Sequence, residues 1–123
     1  MIHLLWPTIR PDMMQSTYQC WLNNADDKNI KLMVAVNTEE QKNEIRIKGA
    51  TILVSGDVKG VTHACKMLSD AVQADPNDII ILASDDFYAP LHWDIWVKEV
   101  LRDKCAAVHV HDGYVKQLSL IHI

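Results

Sequence analysis

A chain of 123 residues with 49% hydrophobic and 23% charged residues has the size and balance of one globular domain, residues 1–123, and excludes a fibre or a disordered tail. Twelve Lys plus Arg against 16 Asp plus Glu leave a formal net charge of -4, which lacks the basic footprint of a nucleic-acid binder. No stretch approaches the roughly 20 apolar residues of a membrane span, no basic region leads into a signal-type core, and the three scattered cysteines, Cys20, Cys65 and Cys105, form no Cys-x-x-Cys pair, so the expectation is a soluble, cytoplasmic chain without disulfides or a zinc site.

Short apolar runs alternate with helix-period segments, the pattern that βαβ units leave in a sequence, and the class is α/β. Ile2 to Trp6 reads as a first strand, stopped by Pro7 and followed by a turn over Thr8-Ile9-Arg10-Pro11. A helix opens at Asp12, with Met14, Tyr18, Cys20 and Trp21 on its apolar face, and closes at Asn23-Asn24-Ala25-Asp26-Asp27. Lys31 to Val36 is a second strand, apolar almost throughout, as expected of a strand covered on both faces. The charged segment from Glu39 to Lys48 reads as a solvated loop or short helix, and Thr51 to Val54 as a third strand.

After the turn-rich Gly56-Asp57-Val58-Lys59-Gly60, the residues Val61, Ala64, Cys65, Leu68 and Val72 mark an amphipathic helix. Ile79 to Ala83 is the most apolar run and is assigned to the central strand. A further helix carries Trp93, Trp96, Val97, Val100 and Leu101 on one face, with both tryptophans as core anchors, and Lys104 closes it. Ala106 to Val110 is a fifth strand, and Tyr114 to Ile121 a last strand or extended tail. Each cysteine fits as a small buried hydrophobe, and His109 and His111 alternate as a strand face does, without the spacing of a metal site.

Ligands of open parallel sheets bind beyond the carboxyl ends of the strands. Polar residues gather after those ends: Pro7, Thr8 and Arg10, then Asn37 and Thr38, Gly56 and Asp57, Asp85 and Asp86, and Asp112. The Asp85-Asp86 pair says most, because adjacent carboxylates repel each other and a hard divalent ion relieves that repulsion. The alternative is a helix cap or turn residue. Gly60 before a helix would let an anion approach backbone N–H groups at Val61 and Thr62, and Phe87 and Tyr88 suit a pocket wall.

Taken in order, Pro7-Thr8-Ile9-Arg10-Pro11, Val34-Ala35-Val36-Asn37, Gly60-Val61-Thr62-His63-Ala64, and Asp78 through Ser84-Asp85-Asp86 with Pro90 and Trp93-Asp94 behind, the chain resembles the nucleotide-sugar glycosyltransferases of the GT-A fold, family 2 type. The resemblance implies a Rossmann-like, mostly parallel sheet with helices on both faces, and a nucleoside diphosphate sugar bound with Mn²⁺ or Mg²⁺. Pro7, Thr8, Arg10 and Asn37 would contact base and ribose, Asn37 standing where an acidic residue is more usual. Gly60 and Thr62 would lie beside the nucleotide. Ser84-Asp85-Asp86 matches the D-x-D-type motif with Ser84 in place of its first Asp. Asp86 would then be the principal metal ligand, and Asp85 would lie near the ribose or a metal-bound water. Family members are considerably longer; the acceptor-binding part and the usual base have no counterpart before Ile123, and Asp112 is only a weak candidate for that base. Two other readings follow from the same residues: a non-catalytic α/β module that buries its uncovered apolar surface as a homo-oligomer, and a nucleotidyltransferase.

Overall fold

In a computed structural model of the chain, residues 1–56 and 60–101 are described in full and Ala106–Val110 and Leu118–His122 by their backbone. Strands β1 (Ile2–Pro7), β2 (Ile30–Val36), β3 (Thr51–Val54) and β4 (Ile79–Leu82) form one all-parallel sheet in the order β3-β2-β1-β4. Helices α1 (Pro11–Asn24), α2 (Glu39–Glu44) and α3 (Gly60–Ala71) are the connections between them. Helix α4 (Trp93–Leu101) follows β4. The architecture is α/β and compatible with a Rossmann-like class. No helix among the described residues is long and apolar enough to cross a membrane.

The alternation of side chains along each strand builds two unequal layers. Ile2, Leu4 and Trp6 of β1 with Leu32, Val34 and Val36 of β2 face α1, where Met14, Tyr18 and Trp21 complete the main core. Leu5 and Ala35 face the other way and meet Leu68 of α3, with Ala64 and Val72 beside it. Helix α1 opens with Pro11 in its first turn, where the missing N–H costs nothing and the fixed φ suits a helix. The segment from Glu39 resolves into the short helix option: the Thr38 hydroxyl accepts from the Gln41 N–H and the Gln41 side chain accepts from the Thr38 N–H, a reciprocal capping box. Gly60 starts α3 at φ +84, a left-handed conformation that explains a glycine there without any ligand.

Three expectations from the sequence are corrected. Strand β4 is the edge of the four-stranded sheet, not its centre; β1 and β2 lie inside. Its Ile79 and Ile81 pack toward α1, but Ile80 and Leu82, on the α3 side, are 50% and 59% exposed because α3 covers β1 and β2 instead. Of the two tryptophans on α4, Trp93 is buried and Trp96 is 65% exposed, and Val61 of α3 is likewise exposed. Finally, β5 (Ala106–Val110) pairs antiparallel with β6 (Leu118–His122) in a separate two-stranded sheet and is not a fifth strand of the parallel one. Cys20 and Cys65 are half-buried free thiols, and Cys105 lies outside the described residues.

Candidate functional site at the carboxyl ends of β1 and β4

From β1 the chain steps outward to β2 and β3 and then returns to lay β4 on the opposite side of β1. The order of strands reverses between β1 and β4, and in open parallel sheets ligands bind beyond the carboxyl ends of the strands at such a reversal. Thr8 and Arg10 follow β1, and Asp85 and Asp86 follow β4, so four of the expected site residues converge on this one place.

Asp85 is the keystone of the cluster. Its side chain is 6% exposed, with Oδ1 accepting from Trp6 Nε1 at 2.7 Å and Oδ2 accepting from the Thr8 hydroxyl at 2.8 Å. Burial of a carboxylate is costly unless its lone pairs are satisfied, and here both oxygens are. Thr8 Oγ1 in turn accepts the Arg10 backbone N–H at 3.0 Å, which fixes where the arginine leaves the loop. Arg10 then reaches back: Nη2 donates to Asp86 Oδ1 at 3.2 Å and Nε lies 3.7 Å from Asp85 Oδ2. Asp86, unlike its neighbour, is 70% exposed.

The β4 loop is fastened to α1 by a stripe of donors. Thr17, Trp21 and Asn24, spaced so that they share one helix face, donate to the backbone carbonyls of Asp85 (2.7 Å), Phe87 (2.8 Å) and Ala89 (2.7 Å). Alternate carbonyls of an irregular loop thus find partners on a rigid element, which holds the acidic pair in register with β1. Farther along, Asp94 is fully buried and accepts the N–H groups of Asp26 and Asp27 at 3.0 and 2.9 Å, tying α4 to the turn after α1. Burial alone would raise its carboxyl, but these backbone bonds, with that of Ile95, outweigh burial and hold it below the usual range.

The other expected residues are placed as follows. Pro7 is the last residue of β1, half-buried and opposite Ala35. Asn37 belongs to a second polar group, joining the ends of β2 and β3: its Oδ1 accepts from the Ser55 hydroxyl at 3.3 Å and its carbonyl from the Gly56 N–H at 3.0 Å. Gly60 and Thr62 are exposed at the start of α3. Asp57 and Asp112 lie outside the described residues. Phe87 packs against the Trp21 ring at 6.0 Å as part of the core rather than as a pocket wall, while Tyr88 is exposed. A recess of about 310 Å³ lined by His3, Leu5, Lys31, Thr51 and Val72 lies toward the amino ends of the strands, away from Asp85.

Sequence reasoning missed Trp6 and Thr17, whose polar atoms both serve Asp85. The only hint was that a tryptophan inside an otherwise aliphatic strand must place its N–H on an acceptor. Among the described residues no three His, Cys, Asp or Glu side chains converge. Asp86 is the one exposed carboxylate of the cluster, and its side-chain partner is Arg10. Buried Asp85 has both oxygens engaged by Trp6 of β1 and Thr8 just after it, so of the two carboxylates expected from the sequence to hold a metal only Asp86 faces solvent. No protein-family model, curated protein or solved structure matches this chain.

Proposed function

We propose that this chain is the nucleotide-binding domain of a GT-A-type glycosyltransferase, which takes a nucleoside diphosphate sugar and Mn²⁺ or Mg²⁺ beyond the carboxyl ends of β1 and β4. The observation that carries the reading is the linkage of the two strand ends through one buried carboxylate: Asp85 joins Trp6 and Thr8 on one side to Asp86 on the other, at the point where the strand order reverses.

Within this reading Arg10 presents a planar fork of N–H donors that suits a diphosphate, and Asp86 holds the dication. The dication would supply neutralisation of the charge on the departing diphosphate. Asp85 keeps Thr8 and Asp86 in fixed relation, and Asn37, Gly60 and Thr62 lie along the same carboxyl edge toward β2 and β3.

Thermal denaturation with and without ligand tests the reading. UDP or GDP with Mn²⁺ raises the melting temperature by roughly 5–10 °C at about a hundredfold excess over Kd, whereas either alone does little. Asp86→Ala removes the joint effect. Stabilisation that ignores the metal, or none at all, counts against the proposal. A second reading, a self-associating α/β module without catalysis, draws on the exposed Ile80 and Leu82 of edge strand β4. Sedimentation separates the two: a stable oligomer with no nucleotide affinity supports the module.

A further inference from the structure

On the side of the sheet that faces α3, His3 and Leu5 of β1 stand beside Lys31 and Met33 of β2, and Thr51 of β3 stands beside Met33. These residues and Val72, just past α3, line the recess of about 310 Å³ at the amino ends of the strands. Apolar walls with a few polar groups in a volume of this size suit a small organic ligand. His3 is enclosed, with only 6% of its side chain exposed, and its Nε2 lies 2.8 Å from Asp78 Oδ2. The His3 bond first, then that of the Asp75 N–H, holds the Asp78 carboxyl at about 2, so it is ionised at neutral pH and the proton in the His3 bond sits on Nε2. Nδ1 is then the acceptor of the neutral ring. Among the described residues it meets no hydrogen-bond partner, whereas every fully enclosed side-chain nitrogen and oxygen has one, so Nδ1 is open to the recess that His3 lines.

We propose that this recess binds a small monocarboxylate with an apolar body, the carboxylate held between His3 Nδ1 and the Lys31 ammonium and the body laid against Leu5, Met33 and Val72. The site lies at the opposite ends of the strands from Asp85 and does not depend on the function proposed above. A neutral Nδ1 and a carboxylate are both acceptors, so binding takes up one proton from solvent. The imidazolium then donates to Asp78 through Nε2 and to the ligand through Nδ1. The charged groups around the ring are Asp78, the Met1 ammonium 3.3 Å from Asp78 Oδ1, and Lys31; the end of α3 contributes Ala71, Val72 and Gln73, and β3 contributes Thr51, none of them titratable. Asp78 favours the imidazolium and Lys31 opposes it, and a carboxylate between the two cations removes that opposition. Affinity therefore rises as pH falls.

Benzoate, which stays ionised near neutral pH, is the probe, and its binding to the full chain is followed by two-dimensional ¹H–¹⁵N NMR. Saturable shifts are expected at the backbone amides of Met33, Thr51 and Val72, with an affinity about fivefold or more higher at about pH 6 than at about pH 8. Benzyl alcohol, a ring of the same size without the charge, binds about tenfold more weakly at the lower pH. Lys31→Gln weakens benzoate about three- to fivefold, the range an exposed ion pair can supply, and keeps the rise toward low pH. His3→Gln abolishes that rise. Should His3→Gln fail to fold, the pH series on the wild-type chain and on Lys31→Gln decides the matter. Benzoate shifts that never saturate, an affinity indifferent to pH in the wild-type chain, equal binding of benzyl alcohol, or an unchanged affinity in Lys31→Gln each overturn the site.

Discussion

On its α1 side the parallel sheet meets aromatic rings in edge contact, Trp6 with Tyr18 at 6.2 Å and with Trp21 at 5.8 Å, and Trp21 with Trp93 at 4.9 Å. On its α3 side it meets a small aliphatic group around Leu5, Ala35 and Leu68, and leaves Ile80 and Leu82 uncovered. The three tryptophans differ from the aliphatic residues in carrying an N–H at one end, and all three use it. Trp6 donates to Asp85, Trp21 to the Phe87 carbonyl and Trp93 to the Trp21 carbonyl. The denser face therefore both fills the interior and aims the loop that bears the acidic pair. The thinner face does the first of these only.

The largest difference between the faces appears on truncation. Trp21→Ala removes ring contacts with Trp6, Phe87 and Trp93 together with the bond to the Phe87 carbonyl, and costs about 3–5 kcal/mol in urea unfolding. Leu68→Ala, fully buried but in a small cluster, costs about 2–3 kcal/mol by the same measurement. A Leu68→Ala loss equal to that of Trp21→Ala would mean that the two layers carry comparable weight.

These layers were unequally legible in the sequence. Apolar runs located all four parallel strands; for β1 and β2 this is because a strand covered on both faces has few polar residues to confuse the pattern. The Thr38-x-x-Gln41 spacing that caps α2 was present in the sequence, hidden by the charge around it. Periodicity went too far at Val61 and Trp96, since it reports a face that could be buried and not whether anything lies opposite. The same is true of β4, whose four apolar residues suggested a centre although two of them face solvent. At the candidate site, the grouping of Thr8, Arg10, Asp85 and Asp86 was readable from strand ends. The Trp6 and Thr17 bonds to Asp85 join residues distant in the chain, and only the packed structure brings them together.

A smaller effect belongs to the amino edge of the α3 side. There Asp78 accepts from His3 Nε2 at 2.8 Å and from the Asp75 N–H at 3.0 Å, with the Met1 ammonium 3.3 Å away. The His3 bond first, then the Asp75 bond, bring its carboxyl down from 3.8 to about 2. A folded-state value below the unfolded one contributes stability that is complete above pH 3.8 and is lost as pH falls toward about 2. Asp78→Asn accordingly flattens the fall of the unfolding midpoint across this window, measured by urea titration at successive pH values. The residual slope belongs in part to Asp94 and Asp27, both also lowered. An unchanged slope would remove the pair from the forces that hold β1 to β4.

The smallest effect is expected where the α3 side is open. Leu82→Gln changes the unfolding free energy by no more than about 0.5 kcal/mol, because its side chain is already 59% exposed. A loss several times larger, read by the same denaturant method, would show that something covers β4 in solution.

Trp6 belongs to the interior, fully enclosed by neighbours, yet is bonded through its indole N–H to Asp85 just after β4. The emission of an indole responds to the charge and hydrogen bonding around its ring, so anything that draws on the Asp85 carboxylate also perturbs a chromophore in the centre of the molecule. A single hydrogen bond thereby couples an indole in the centre of the molecule to the carboxylate after β4.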